Sequence, residues 1–480
     1  MNTSNTRYGA SKITELLKDA HRIFFVGIGG VNMSSLAAIS DARGYDVAGS
    51  DRSVSAAVER LIEDGIKVFI GHSAENVKDA DALIYTVSVP TDNPEYVEAG
   101  RMGIPRISRA DYLGWLMHDC KLRIGVSGMH GKSTATGMCA SVLLAADCDP
   151  TISSGAAIHE LGCTYRQGGH NFFLYEACEY KDAFLSFYPT TAIILNIDMD
   201  HPDYFTDLEM VKNSFRSCLS LVRDFAVVNE SDENVREVAS GASCRLVRYG
   251  TELDGDLQPR ERYDYFASEI KLMPHSSEFT LERAGEQIAR ISLTEAGLHN
   301  VSDAVAVAAA AIENGIAVDA VKRGLESFRG AARRMEHSGK TPFGADVYLD
   351  YAHHPTEIKA ALSAAKGFGG RLITVFQPHT YTRTKALFTE FAEALAISDE
   401  VILADIFAAR EDDVYGVSSA MLAEETKKQG ARVLYSGEFD GDGSEFDRIA
   451  AHVRSIAKNG DTVVIMGAGN INAVAGKAVE

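Results

Sequence analysis

The stretch LRIGVSGMHGKSTATG, residues 122–137, decides how this chain folds. Leu122 to Ser127 is an apolar run of strand length that delivers the chain into glycines at 128 and 131, and from Lys132 the sequence reads as a helix. Strand, glycine turn and helix in that order imply a parallel sheet covered by helices. The turn also has a chemistry. Backbone N–H groups of Gly128-Met129-His130-Gly131 can converge on phosphate oxygens, Lys132 would meet the terminal phosphates, and the Ser133 hydroxyl can ligate Mg²⁺. Thr134 leads into the helix, whose positive end adds to the field. The full phosphate-loop pattern is not present, because Val126 stands five residues before Gly131 where the first glycine belongs. The Gly-x-x-Gly-Lys-Ser core in this setting points to a nucleoside triphosphate; the bland alternative is an accidental glycine turn.

Working outward, the same pattern occurs earlier. Ile23 to Val26 is a strand that feeds Gly27-Ile28-Gly29-Gly30 and a helix-like stretch. Asn32 occupies the place of the third glycine of a dinucleotide fingerprint, and Asp51 lies where an acid contacts a ribose hydroxyl. That loop leaves a dinucleotide, another nucleotide and a purely structural turn all open. A second strand ends near Gly49, and another covers Ala82 to Thr86. After residue 122, apolar runs at Phe172 to Tyr175, Ala192 to Leu195 and Phe225 to Val228 continue the central block. Polar alternation from Thr251 to Gln287 reads as a small antiparallel excursion, and an alanine-rich helix begins around Asn300. Beyond Arg333-Arg334, strands at Val347 to Leu349, Leu372 to Phe376, Val401 to Leu403 and Val463 to Met466 alternate with helices. The expected architecture is α/β with three domains in a row, at 1–120, 121–332 and 333–480. The first and last are Rossmann-like and the middle one is of the phosphate-loop type.

Strand ends carry the remaining candidates. Glu176 ends one strand and Asn196-Ile197-Asp198-Met199-Asp200-His201 follows another, on the edge that the phosphate loop occupies. Glu176 suits Mg²⁺; His201 reads equally as ligand or loop residue. In the third block Asp350-Tyr351-Ala352-His353-His354-Pro355-Thr356-Glu357 and Gln377-Pro378-His379-Thr380-Tyr381-Thr382-Arg383 end adjacent strands. The paired histidines lack zinc-site spacing. An Arg and a His there suit a small carboxylate, which a guanidinium grips bidentately.

A net charge of −20 argues against nucleic-acid binding, which needs a basic surface. No run is long and apolar enough for a membrane span, and the polar start lacks a signal-peptide pattern, so a cytoplasmic location is expected. Seven scattered cysteines without framework spacing suit a reducing compartment. The oligomeric state is left open.

Taken together these motifs resemble the Mur ligases over nearly the whole chain. The resemblance rests on Phe25 to Gly30, Gly49-Ser50-Asp51, Gly71-His72-Ser73, Asp92-Asn93-Pro94-Glu95 and Arg109-Ala110 in the first block. In the second it rests on His130-Gly131-Lys132, Glu176-Ala177, Asn196-Ile197, Asp200-His201 and His299-Asn300. In the third it rests on Arg333-Arg334, Asp350 to Glu357, Phe376 to His379, Thr382-Arg383-Thr384 and Gly467 to Asn470. It implies an ATP-dependent ligase that joins L-alanine to UDP-N-acetylmuramate through an acyl phosphate in peptidoglycan precursor synthesis. It further implies that Lys132 binds ATP phosphates and that Ser133, Glu176 and His201 hold Mg²⁺. Asn300 would contact adenine, with Arg334 and Asp350 reaching ATP from the third domain. Tyr351, His353, His379 and Arg383 would surround the amino acid, and Gly27, Gly29, Gly30, Asp51 and His72 would hold the UDP portion. Met129 replaces the family's usual threonine, Cys178-Glu179-Tyr180-Lys181 replaces an acidic run, and Thr380 stands where Arg often follows the histidine. A ligase for another amino acid or a recycled peptide, an NAD-dependent dehydrogenase and a nucleotide-binding regulator are the competing readings.

Overall fold

The computed structural model describes residues 3–409, 411–440 and 442–479. Met1, Asn2 and Glu480, the outermost residues of the first and third expected domains, lie outside the described residues.

Strands β1 (Arg22–Val26), β2 (Asp46–Asp51), β3 (Lys67–Ile70), β4 (Ala82–Tyr85) and β5 (Arg106–Ser108) form a parallel sheet in the order β3-β2-β1-β4-β5. The continuous apolar run of β1 follows from its central place, since helices cover both faces of such a strand. Ile23 and Phe25 enter one core with Leu36, Ile39 and Tyr112. Phe24 and Val26 enter the other with Leu83, Tyr85 and Ala99. Strand order reverses between β1 and β4, which opens a crevice at their carboxyl ends.

The central sheet comprises β6 (Leu122–Ser127), β7 (Thr151–Ile158), β8 (Cys163–Arg166), β9 (Phe172–Glu176), β10 (Thr191–Ile194), β11 (Phe225–Asn229), β12 (Arg245–Thr251), β13 (Tyr265–Met273), β14 (Ser276–Arg283) and β15 (Glu286–Leu293). Their order is β15-β14-β13-β12-β11-β10-β6-β9-β7-β8. β6 lies between β10 and β9 and runs parallel to both, so three strands release their loops on one edge. The antiparallel excursion is real, but it occupies β13 to β15 and extends to Leu293, beyond the expected end. Glu286–Leu293 keeps alternating at its end, with Ile291 and Leu293 buried on either side of exposed Ser292, and so belongs to it. The β7–β8 hairpin was not expected; β8 is half-exposed throughout and lacks an apolar run. The helix Leu298–Glu313 packs its fully buried Ala304, Ala306 and Ala308 to Ala311 into the core shared with the helix Lys132–Ala145. Small side chains permit that close approach.

The third sheet is β16 (Glu336–Lys340), β17 (Asp346–Asp350), β18 (Leu372–Phe376), β19 (Glu400–Leu403), β20 (Arg432–Tyr435) and β21 (Thr462–Met466). It is ordered β16-β17-β21-β18-β19-β20, with only β16 antiparallel. The carboxyl ends of β17 and β18 face those of β6, β9 and β10 across a cleft. No helix of the described residues is long and apolar enough to cross a membrane.

Candidate active site

The cleft holds a cavity of about 1080 Å³ lined by the phosphate loop, the start of the alanine-rich helix and the edge of the third domain. Its floor is the turn after β6. Gly131 caps the helix Lys132–Ala145 at φ 83°, a left-handed conformation that a side chain rarely adopts. A Cβ there would lie 2.9 Å from Asp303 Oδ2. Met129 is buried and packs into the core, so the loop offers its backbone at that position. Asn196 clamps the turn, accepting from His130 N–H at 2.8 Å and donating to its carbonyl at 3.0 Å.

Lys132 donates to the carbonyls of Gly128 (2.6 Å) and Met129 (3.0 Å), and its ammonium lies 3.0 Å from Glu179 Oε2. Burial disfavours the ammonium's charge, but Glu179 outweighs it and raises the pKa. The other Glu179 oxygen faces His201 Nε2 at 3.2 Å. His201 sits at φ 53°; burial opposes its charged form, and Asp200 and Glu179 nevertheless raise it. Glu179, 1% exposed, thus ties the phosphate-loop lysine to His201. Glu176 Oε2 accepts from the Ser133 hydroxyl at 2.8 Å and from Gly155 N–H at 3.0 Å. Thr134 lines the cavity.

Across the cleft Arg383 is buried. Its Nε and one terminal nitrogen donate to Asp200 Oδ1 at 2.9 and 2.8 Å. The other nitrogen donates to His379 Nδ1 at 3.1 Å, so His379 carries its proton on Nε2. The carboxylate that Arg383 grips here is therefore that of Asp200. His379 stacks on Phe407, and burial pushes it down to about 4. His353 Nδ1 donates to the Tyr351 carbonyl at 3.0 Å, leaving the Nε2 lone pair unprotonated; burial takes it to about 3. Its ring lies 5.3 Å from that of Tyr351 and 5.9 Å from that of His379.

Further contacts fasten the third domain to the second. Thr356 donates to Asp198 Oδ2 at 2.8 Å, His354 Nε2 to the Met199 carbonyl at 3.0 Å, and His130 Nδ1 lies 3.3 Å from Glu357 Oε1. Burial disfavours the charge on His130, yet Asp198 and Glu357 raise it to about 9. The His354 ring lies against it, tilted by 32° with centroids 4.7 Å apart. Asp350 accepts from Met335 and Ala352 N–H groups and is raised by burial to about 6. Arg334 faces the Tyr351 ring at 5.2 Å, and Asn300, whose amide donates to the Ala296 carbonyl at 2.7 Å, lines the cavity with Arg334 and Asp350.

In the first domain Asp51 turns inward, and its Oδ2 accepts from Gly29 N–H at 2.8 Å. A Cβ on Gly29 would meet that oxygen at 2.9 Å, so glycine alone permits the approach. Gly27, at φ 76°, begins the turn, and Gly30 caps the helix Val31–Ala42. His72 Nδ1 donates to Glu95 Oε2 at 2.8 Å, and the fully buried Glu95 also accepts from Ser50 and Asn76. Glu179, Asp198, Asp200, Glu357 and Glu95 received no role in the sequence reading. The residues at 95, 198, 200 and 357 stand inside its motifs, but their partners come together only in the fold.

Family models match the chain in chain order: the Mur ligase family catalytic domain over residues 22–121, the Mur ligase middle domain over 126–311, and the Mur ligase glutamate ligase domain over 333–469. The chain is 39% identical over 452 residues to the UDP-N-acetylmuramate–L-alanine ligase of Acetivibrio thermocellus, covering 94% of this chain and 93% of that one. Its fold is similar to the crystal structure of the UDP-N-acetylmuramate–alanine ligase MurC of Thermotoga maritima, with a TM-score of 0.79, 27% identity, and coverage of 95% of this chain and 98% of that one. A murein peptide ligase from Psychrobacter arcticus shares the fold at a TM-score of 0.69 and 22% identity, over 95% and 98% of the two chains. With its three domains matched in order along the sequence, the chain belongs to the Mur ligase family.

Proposed function

We propose that this chain is an ATP-dependent carboxylate–amine ligase that joins L-alanine to the lactyl carboxylate of UDP-N-acetylmuramate. The observation that carries the reading is that the Lys132 loop and the strand ends bearing His353 and Arg383 meet, with His130 Nδ1 3.3 Å from Glu357 Oε1 and Arg383 Nε 2.9 Å from Asp200 Oδ1. That arrangement presents phosphate-binding groups on one wall and neutral imidazoles on the other. A carboxylate is a poor acyl donor; attack of its oxygen on the γ-phosphate of ATP gives an acyl phosphate and ADP. The amine of alanine then attacks the acyl carbon and phosphate leaves.

Lys132 spreads the charge that develops on the phosphoryl group, having exchanged the loop carbonyls for phosphate oxygens. Ser133 and Glu176 are hard oxygen donors already sharing a hydrogen bond, a set that fits Mg²⁺; His201 fits less well, because Glu179 engages its Nε2. Bound there, Mg²⁺ would neutralise phosphate charge. His353, with its depressed basicity, accepts a hydrogen bond from the amine rather than carrying its proton away. Arg383 holds Asp200, and with it the His201 turn, in place. Asn300, Arg334 and Asp350 border the nucleotide in the cavity, and Tyr351 and His379 border the amino acid. Gly27, Gly29, Gly30, Asp51 and His72 form the UDP end, with the diphosphate near the first helix. The domain limits that follow are 1–120, 121–332 and 333–480. Cleft closure by the third domain excludes water that would hydrolyse the acyl phosphate. The seven free cysteines suit a cytoplasmic setting.

The test is phosphate release from Mg·ATP with UDP-N-acetylmuramate and each amino acid in turn. Release that needs both the sugar nucleotide and L-alanine supports the reading. Release with a different amino acid or a peptide moves the specificity, and no release in any combination overturns it.

A further inference from the structure

Asp303 has no place in the chemistry just described. It projects from the helix Leu298–Glu313 against the underside of the phosphate loop, where its two oxygens lie 2.9 and 3.0 Å from the position of a Cβ on Gly131. The residue is 6% exposed, lines the nucleotide cavity, and its Oδ2 has no hydrogen-bond partner. Ionisation there would leave charge on a buried oxygen that no hydrogen bond satisfies. Polyphosphate on the neighbouring N–H groups would add like charge with little water between.

We propose that the Asp303 carboxyl must carry its proton while polyphosphate occupies the loop, so that ATP binding is proton-linked and weakens once Asp303 ionises. The proposal rests on the reading of the loop as the ATP phosphate site. The groups around Asp303 are consistent with it. Arg334, from the segment before β16, is the cation that favours ionisation, but burial dominates and raises the carboxyl well above its ordinary range. Lys132 on the adjoining helix is committed to Glu179 and the loop carbonyls. Tyr249 on β12 is raised by burial and stays neutral, while Asp232 and Asp254 beside the cavities add only negative potential. His299 on the same helix is pushed by burial to about 4 and is neutral. His130 titrates near 9 on the same loop, so the test must hold it constant.

The experiment is calorimetric titration of the intact protein with Mg·ATP, and with adenosine as a phosphate-free control, from mildly acidic to alkaline pH. Wild type and Asp303→Asn are compared; Asp303→Ser serves as a second neutral variant should the first fail to fold. Wild-type ATP affinity is expected to fall toward about tenfold per pH unit once Asp303 ionises. That fall should be smaller in Asp303→Asn, by the part His130 does not supply, and absent for adenosine in both proteins. Equal pH profiles for ATP in wild type and the neutral variants overturn the proposal. Failure of wild type to bind ATP at every pH instead overturns the reading of the loop.

Discussion

Two glycine turns in this molecule share a plan and differ in what they leave available. Both follow a buried parallel strand and cap a helix, at Gly27–Gly30 and at Gly128–Gly131. In the first, Asp51 reaches back and accepts from Gly29 N–H, so a carboxylate of the protein already lies where an anion would bind. In the second, Asn196 and not an acid takes the N–H groups of Met129 and His130. Its lysine is instead drawn back onto the loop carbonyls and Glu179, with Ser133 on Glu176. The first turn has its N–H groups satisfied within the protein. The second keeps a cation and an oxygen pair ready to change partners, as phosphoryl transfer demands. A shared strand–turn–helix plan does not specify the chemistry; the side chains around the turn do.

Breaking the second turn should have the largest effect. Lys132→Met is expected to lower kcat by about 10²–10³-fold with little change in UDP-N-acetylmuramate affinity, measured by steady-state phosphate release and by binding titration. A comparable loss of sugar-nucleotide affinity would mean the two turns are not divided as described. Next, Glu176→Gln should cost on the order of 10–100-fold in apparent Mg²⁺ affinity, read from the Mg²⁺ dependence of the rate. An unaltered Mg²⁺ curve would remove Glu176 from the metal set.

The third prediction concerns the contact that joins the second turn to the third domain. His130 has a folded pKa raised to about 9. Its contribution is therefore complete below its unfolded value of about 6.5 and is lost as pH rises through 9. Its partners Asp198 and Glu357 are depressed, so their share is lost only as pH falls through the acid range. His130→Asn should lower thermal stability by on the order of 1–3 kcal/mol near neutrality and by far less in alkali. A deficit that does not shrink above the His130 pKa would show that charge is not what fastens the domains there. The smallest effect belongs to the first turn. Asp51→Asn keeps an acceptor for Gly29 N–H and should change the KM for the sugar nucleotide by less than about tenfold, with kcat unchanged.

Much of this was legible in the sequence because buried parallel strands are written as continuous apolar runs. Ile23 to Val26, Leu122 to Ser127 and Leu372 to Phe376 are clear for that reason, and the loops that leave them carry the site. The β7–β8 hairpin was hidden because an edge strand half-open to solvent needs no apolar signature. Glu179 was hidden because it lies in a loop whose sequence departs from the family's acidic run, and its partners, Lys132 and His201, meet it only through folding. Arg383 looked like a receptor for a substrate carboxylate. In the structure it grips Asp200, 183 residues away, and no local pattern connects them. Asp303 was unremarked inside an alanine-rich helix, where only the packing of that helix beneath Gly131 gives it meaning.

By the proposed mechanism the second turn directs the γ-phosphoryl group of ATP to the sugar carboxylate. Its most direct measurement uses UDP-N-acetylmuramate carrying ¹⁸O in the lactyl carboxylate, with L-alanine, Mg·ATP and mass analysis of the released phosphate. An acyl phosphate requires that one labelled oxygen leave with the phosphate. Phosphate released without label, while the alanyl product still forms, would contradict the mechanism.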